Sequence, residues 1–140
     1  MAYDSNNVFS KILRGELPAQ KVYEDAETLA FMDIMPRCDG HMLVIPKTPA
    51  RNMLDASPAQ LAACMATAQK VAAAAMKAFG AGGITLQQFN EPAGGQIVFH
   101  LHFHVLPRME GVSLGPPASK MEKPEALAAN AERIRKALTV

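Results

Sequence analysis

From Ile97 to Val105 the chain reads Ile-Val-Phe-His-Leu-His-Phe-His-Val, with three of its four histidines inside five residues. On a strand, successive side chains point to opposite faces, and residues two apart lie about 7 Å apart along it. The pattern predicts a strand over about 96–106. His100, His102 and His104 would share one face, and Ile97, Phe99, Leu101, Phe103 and Val105 would share the other. The apolar row must be covered by a second layer of structure. The imidazole row is left free to line a site.

The rest of the sequence supplies that second layer. Ser57 is an N-cap, Pro58 suits the first helical position and Gln60 completes a capping box, so a long helix starts there. Leu61, Met65, Ala68, Ala72, Met76 and Phe79 recur at helical spacing, and Gly80 ends the helix. A short helix is expected over about 7–14. It would be capped by Asn6 or Asn7, stopped by Gly15, and turn Val8, Phe9 and Ile12 inward. Strands are expected at 21–24, 28–33, 42–46 and about 84–89, with a last helix over about 124–138. The connections between strands are too short for parallel crossovers. The expected class is α+β: about five mostly antiparallel strands with a long helix on one face, forming one domain over residues 1–140.

Composition narrows the classes of function. Apolar residues make up 49% and charged residues 19%, which excludes a disordered chain. Fourteen basic against thirteen acidic residues, a formal charge of +1, argue against a polybasic nucleic-acid binder. The start, Met-Ala-Tyr-Asp-Ser-Asn-Asn, has no basic then apolar targeting pattern. Leu61–Phe79 carries Gln69, Lys70 and Lys77 and is too polar for a membrane span. Cys38 and Cys64 are widely spaced, without metal-ligand spacing, and read as free thiols. The expectation is a cytoplasmic protein.

Imidazole titrates near pH 6.5 and can act as nucleophile, acid or base near neutrality. Three on one face can divide attack, proton transfer and orientation among them. Gly94-Gly95 allows close backbone approach to an anion, and Asn90 and Gln96 add side-chain amides. His41, at the start of another strand, can orient a triad member if the two strands are neighbours. The competing reading is a metal site, but no Cys pair accompanies the histidines.

The run from Gly95 through Arg108, with its His-φ-His-φ-His core (φ apolar), resembles the signature of the histidine triad (HIT) family of nucleotide-binding hydrolases and transferases. Residues 8–19, 31–36 and 40–47 resemble the family's preceding blocks. The resemblance implies hydrolysis at the α-phosphorus of purine nucleoside monophosphate derivatives, with phosphoramidates such as adenosine phosphoramidate favoured. It implies His102 as the nucleophile and His104 as phosphate contact and aid to the leaving group. His100 and His41 would position and polarise the nucleophile. Asp33 would bind the ribose, Val8, Phe9, Ile12, Phe31 and Ile34 would wall the base, and Asn90, Gly95 and Gln96 would meet phosphate or ribose. No cofactor, metal, nucleic acid or membrane is implied, and a homodimer is. Alternatives are a dinucleoside polyphosphate hydrolase and a nucleotide-binding or scaffold module with weak catalysis. Two departures from relatives stand out. Ile97 stands where the phosphoramidase branch often has Ser or Thr. Asn7, Ser10 and Pro49 stand where some bacterial relatives hold zinc through a Cys-x-x-Cys and a histidine.

Overall fold

The computed structural model describes residues 2–139. Asn7 caps a first helix, α1 (Val8–Leu13), by accepting from the Ser10 N–H. Gly15, at φ +77°, follows its end. Strands β1 (Lys21–Glu24) and β2 (Thr28–Met32) form a hairpin whose turn is pinned by Asp25. The Asp25 carboxylate accepts from the Glu27 and Thr28 N–H groups and from the Thr28 hydroxyl. Strand β3 (Met42–Pro46) follows, then α2 (Pro58–Phe79), β4 (Gly83–Gln87), β5 (Phe103–Arg108) and α3 (Pro124–Leu138). The five strands make one antiparallel sheet in the order β1-β2-β3-β5-β4. The α+β expectation holds.

Helix α2 has the predicted bounds. The Ser57–Gln60 capping box is formed in both directions, and Gly80 closes the helix in the left-handed conformation. Its buried stripe differs from the one expected. Cys64, Thr67, Ala68, Val71, Ala74 and Ala75 face the sheet, while Met65 is exposed. Small side chains let the helix sit close to the strands, and this outweighs the hydrophobicity of the larger methionines. Thr67 and Thr28, both buried, share a 2.6 Å hydroxyl hydrogen bond across that contact.

The sheet separates two cores. Ala30, Met32, Met42, Val44, Leu101, Phe103 and Val105 pack towards α2 and α3. On the other face Leu29, Phe31, Leu43 and Ile45 pack with Phe9 of α1, and Ile12, Leu13 and Val98 complete that cluster. Val8 does not pack inward as expected. Phe9 takes the inward place, with Ile12 and Leu13 one turn on, and Val8 lies outside.

Strand β5 is shorter than the alternation predicts. It begins at Phe103, so His100 and His102 precede it. Pairing of β3 to β5 ends at Val44↔Phe103. Pro46 has no N–H to extend the ladder, and the chain before β5 turns to the loop after β3, where the Leu101 N–H donates to the Ala50 carbonyl at 2.8 Å. The apolar row is correspondingly shortened. Leu101, Phe103 and Val105 are core, Ile97 is 72% exposed, and Phe99 lies under the Arg51 guanidinium.

Candidate active site

Four histidines converge on the face that carries α1. His102 and His104 have ring centroids 5.0 Å apart, and His41 and His104 5.2 Å. The β3–β5 pairing brings His41, just before β3, alongside His104, because Leu43 is opposite His104. Phe9 stands edge-on to His102 at 4.9 Å and Phe89 edge-on to His104 at 5.6 Å. These rings fix the imidazole planes by packing.

Hydrogen-bond partners assign the protons. His102 Nδ1–H donates to the His100 carbonyl at 2.7 Å, which leaves Nε2 with a free lone pair. His100 Nε2–H donates to the Pro46 carbonyl at 2.8 Å, so its Nδ1 is an acceptor. The Arg37 N–H donates to His41 Nδ1 at 3.0 Å. His41 therefore carries its proton on Nε2, 2.9 Å from His104 Nδ1. His104 accepts there and holds its own proton on Nε2. The outcome is one imidazole with an exposed lone pair beside another with an N–H to offer.

Burial keeps these rings neutral. It lowers the pKa of His41 to about 4, aided by the Arg37 charge and His102, and that of His104 to about 3, aided by His102, His41 and Arg37. Burial lowers His100 and His102 as well, against the carbonyl hydrogen bonds that favour their charged forms. A neutral imidazole can attack an anionic phosphate ester, and a protonated one cannot. Burial raises Asp33 to about 6, against the Met35 N–H that its carboxylate accepts. Its other oxygen lies 3.4 Å from His41 Nε2.

The other residues singled out in the sequence fall into three groups. Val8 and Ile34 are exposed beside the site, and Ile12 is partly buried, while Phe9 and Phe31 pack edge to face at 5.5 Å inside the core. Asn90 accepts from the Met53 N–H and exchanges hydrogen bonds with the Gln88 amide. Gly95 sits at φ +97°, where a Cβ would press on the Phe89 ring at 3.3 Å. Gln96 is buried and its amide is spent within the protein. It accepts from Asn52 and the Glu91 N–H and donates to the Arg51 and Val98 carbonyls. It holds the loop in place rather than offering a free donor.

Sequence reasoning missed two sets of residues. Arg51 and Asn52 both grip the Glu91 carboxylate, at 2.7 and 2.9 Å for the two Arg51 nitrogens and 2.7 Å for the Asn52 amide. This clamp holds Glu91 at φ +66°. Tyr3 reaches His100 from the start of the chain, with its hydroxyl 2.5 Å from Nδ1. No motif marks either set. The one hint is that Tyr3 is one of only two tyrosines.

Asp33, His41 and His104 place one oxygen and two nitrogens within 4.8 Å of one another, a set that could hold a divalent ion. The two facing nitrogens are already at hydrogen-bond distance. At the positions where the sequence flagged a zinc site, Asn7, Ser10 and Pro49 offer an amide, a hydroxyl and a proline ring. With no thiolate and no imidazole from these positions, the donors do not fit zinc.

Residues 14–111 match the HIT domain. The chain belongs to the HIT family. A HIT-like protein from Bartonella henselae, described as involved in cell-cycle regulation, superposes with a TM-score of 0.93 at 52% identity, covering 98% of this chain and 99% of that one. A Zn-bound histidine triad family protein from Mycobacterium smegmatis gives a TM-score of 0.86 at 36% identity, covering 96% and 94%. Adenylylsulfatase HINT3 of Arabidopsis thaliana is 39% identical over 103 residues, 74% of this chain but only about half (52%) of that relative. The chain thus joins a family of nucleotide hydrolases and transferases. Among the described residues, no helix of this HIT protein is long and apolar enough to cross a membrane.

Proposed function

We propose that this HIT protein hydrolyses purine nucleoside monophosphate derivatives at the α-phosphorus, with phosphoramidates such as adenosine phosphoramidate favoured. The observation that carries the reading is the pairing of a free Nε2 on His102 with an Nε2–H on neighbouring His104. His102 Nε2 attacks phosphorus, a P–N(His) bond forms and the bond to the leaving amine breaks. His104 donates to the phosphate or leaving group. A bound phosphate anion favours the charged imidazole that burial disfavours, so more of His104 is protonated and able to donate once substrate is present. Water then cleaves the nucleotidyl-His102 bond and releases the nucleoside monophosphate.

Asp33 is assigned to the ribose hydroxyls, Val8, Phe9, Ile12, Phe31 and Ile34 to the base, and Asn90 and Gly95 to phosphate or ribose. Gln96 supports them from beneath. His41 orients His104, and His100 orients His102. The likeness to an enzyme named adenylylsulfatase supports an adenylyl group with a leaving group on phosphorus. The reading extends to one functional domain over residues 1–140, acting in the cytoplasm as a homodimer.

The test compares adenosine phosphoramidate, adenylyl sulfate and a diadenosine polyphosphate as substrates, with mass spectrometry of quenched reactions. Fastest turnover of the phosphoramidate and a nucleotidyl adduct on His102, both lost in His102→Ala, are expected. Unimpaired turnover by His102→Ala would overturn the proposal. Preference for the polyphosphate would move the substrate class, and nucleotide binding without turnover would make the chain a binding module.

A further inference from the structure

Three side chains converge on the hydroxyl of Tyr3. It lies 2.5 Å from His100 Nδ1, in a short contact with Ser10 Oγ, and 3.1 Å from Asn7 Nδ2. The directions of these bonds are forced. His100 Nε2–H is committed to the Pro46 carbonyl, so the neutral ring can only accept at Nδ1. Tyr3 must therefore donate to it. Its oxygen then accepts from the Ser10 hydroxyl and the Asn7 amide. That amide also donates to Ser10 Oγ at 2.9 Å, and Asn7 Oδ1 caps α1. The Tyr3 ring stands edge-on to His100 at 5.7 Å. The half-buried tyrosine is thus held by helix α1 and presents one proton to one nitrogen.

We propose that Tyr3 is a positioning residue for the reaction, locking the ring plane of His100, whose tautomer Pro46 already sets, and, through the His100 main chain, the aim of His102. The link is short. The side chain of residue 100 is pinned at both nitrogens, by Tyr3 and Pro46, and its carbonyl is the acceptor that sets the His102 tautomer. With the ring gripped at both ends, the peptide following it has little freedom to turn that carbonyl away. If Nδ1 of His100 loses its donor, the buried ring holds an unpaired acceptor and gains reason to rotate. Tyr3, Asn7 and Ser10 all precede residue 14, where the match to the HIT domain begins. The inference rests on the proposed role of His102 as nucleophile.

The test is Tyr3→Phe, which keeps the ring against His100 and removes only the hydroxyl. Steady-state kinetics on adenosine phosphoramidate should show kcat reduced about tenfold with KM within about twofold, as expected when transition-state aim and not substrate binding is lost. The ¹⁵N signal of His100 Nδ1 should move to that of an acceptor without a hydrogen bond while Nε2 stays protonated towards Pro46, with the melting temperature within a few degrees of wild type. Two results would overturn the proposal: wild-type kcat in Tyr3→Phe, or an unchanged His100 spectrum, whatever the rate. A wild-type protein that forms no nucleotidyl adduct on His102 would instead overturn the functional reading, and that outcome is visible before any Tyr3 variant is made.

Discussion

His102 Nδ1 lies 2.7 Å from the carbonyl oxygen of His100, so the nitrogen left to meet a ligand is Nε2. A nucleotide trapped on His102 should therefore be joined through Nε2. ¹⁵N-labelled protein quenched with a slow substrate should show phosphorus coupling to that nitrogen, and coupling to Nδ1 would contradict the assignment.

His41 joins the Arg37 N–H to His104 Nδ1. His41→Ala strands both partners, and leaving one buried polar group unpaired costs about 1–3 kcal/mol. Urea denaturation should show a loss of that order. The His104 ring ¹⁵N signals should report a mixture of tautomers, and kcat should fall more than the stability loss alone explains.

Stability should depend on pH in two opposing ways. Below about 6.5 the imidazoles of the unfolded chain take up protons that burial denies to the folded rings, with His41 lowered to about 4 and His104 to about 3. The unfolded state then binds more protons, so stability falls as pH drops through this window. Asp33 acts in the other direction. Raised from 3.8 to about 6, it keeps a proton in the folded state that the unfolded chain has lost, and its contribution falls as pH rises between those values. Asp33→Asn should therefore steepen the acid loss of melting temperature between about pH 4 and 6. A shallower slope would be the wrong sign.

Gln96 makes four hydrogen bonds that tie the loop before the histidines to the Arg51–Asn52 segment. Gln96→Ala strands the Arg51 carbonyl and removes one of the two acceptors of the Asn52 amide, which keeps its bond to Glu91, at a cost of about 1–3 kcal/mol. Hydrogen exchange should show faster opening around residues 90–98 than around α2.

Gly40, at φ +85°, immediately precedes His41, and a Cβ there would lie 2.6 Å from the Phe79 ring. Gly40→Ala combines strained backbone with overpacking, at about 1–3 kcal/mol for the overpacking alone. Thermal melts should show a clear destabilisation, while Gly94→Ala, where nothing lies within 4 Å of the added carbon, should melt near wild type.

What the sequence made legible was local. The bounds of α2 rest on Ser57, Pro58, Gln60 and Gly80, which act within a turn of themselves. The Asp25 turn and strands β1 to β3 are likewise set by near neighbours. The three clustered histidines and His41 were legible by residue type and spacing. The start of β5 was not, because it depends on Pro46 and Ala50, about fifty residues earlier. The buried stripe of α2 was misread because alanine and threonine pack there by fit rather than by hydrophobicity. The loop clamp and Tyr3 join residues 39 to 97 positions apart, and periodicity carries no record of such pairs.

The bond from Tyr3 to His100 has a practical consequence for handling the molecule. A bulky fusion placed just ahead of Tyr3 would press on a side chain that touches the triad. Rates from tagged material should be compared with protein from which a tag ahead of Tyr3 has been cleaved.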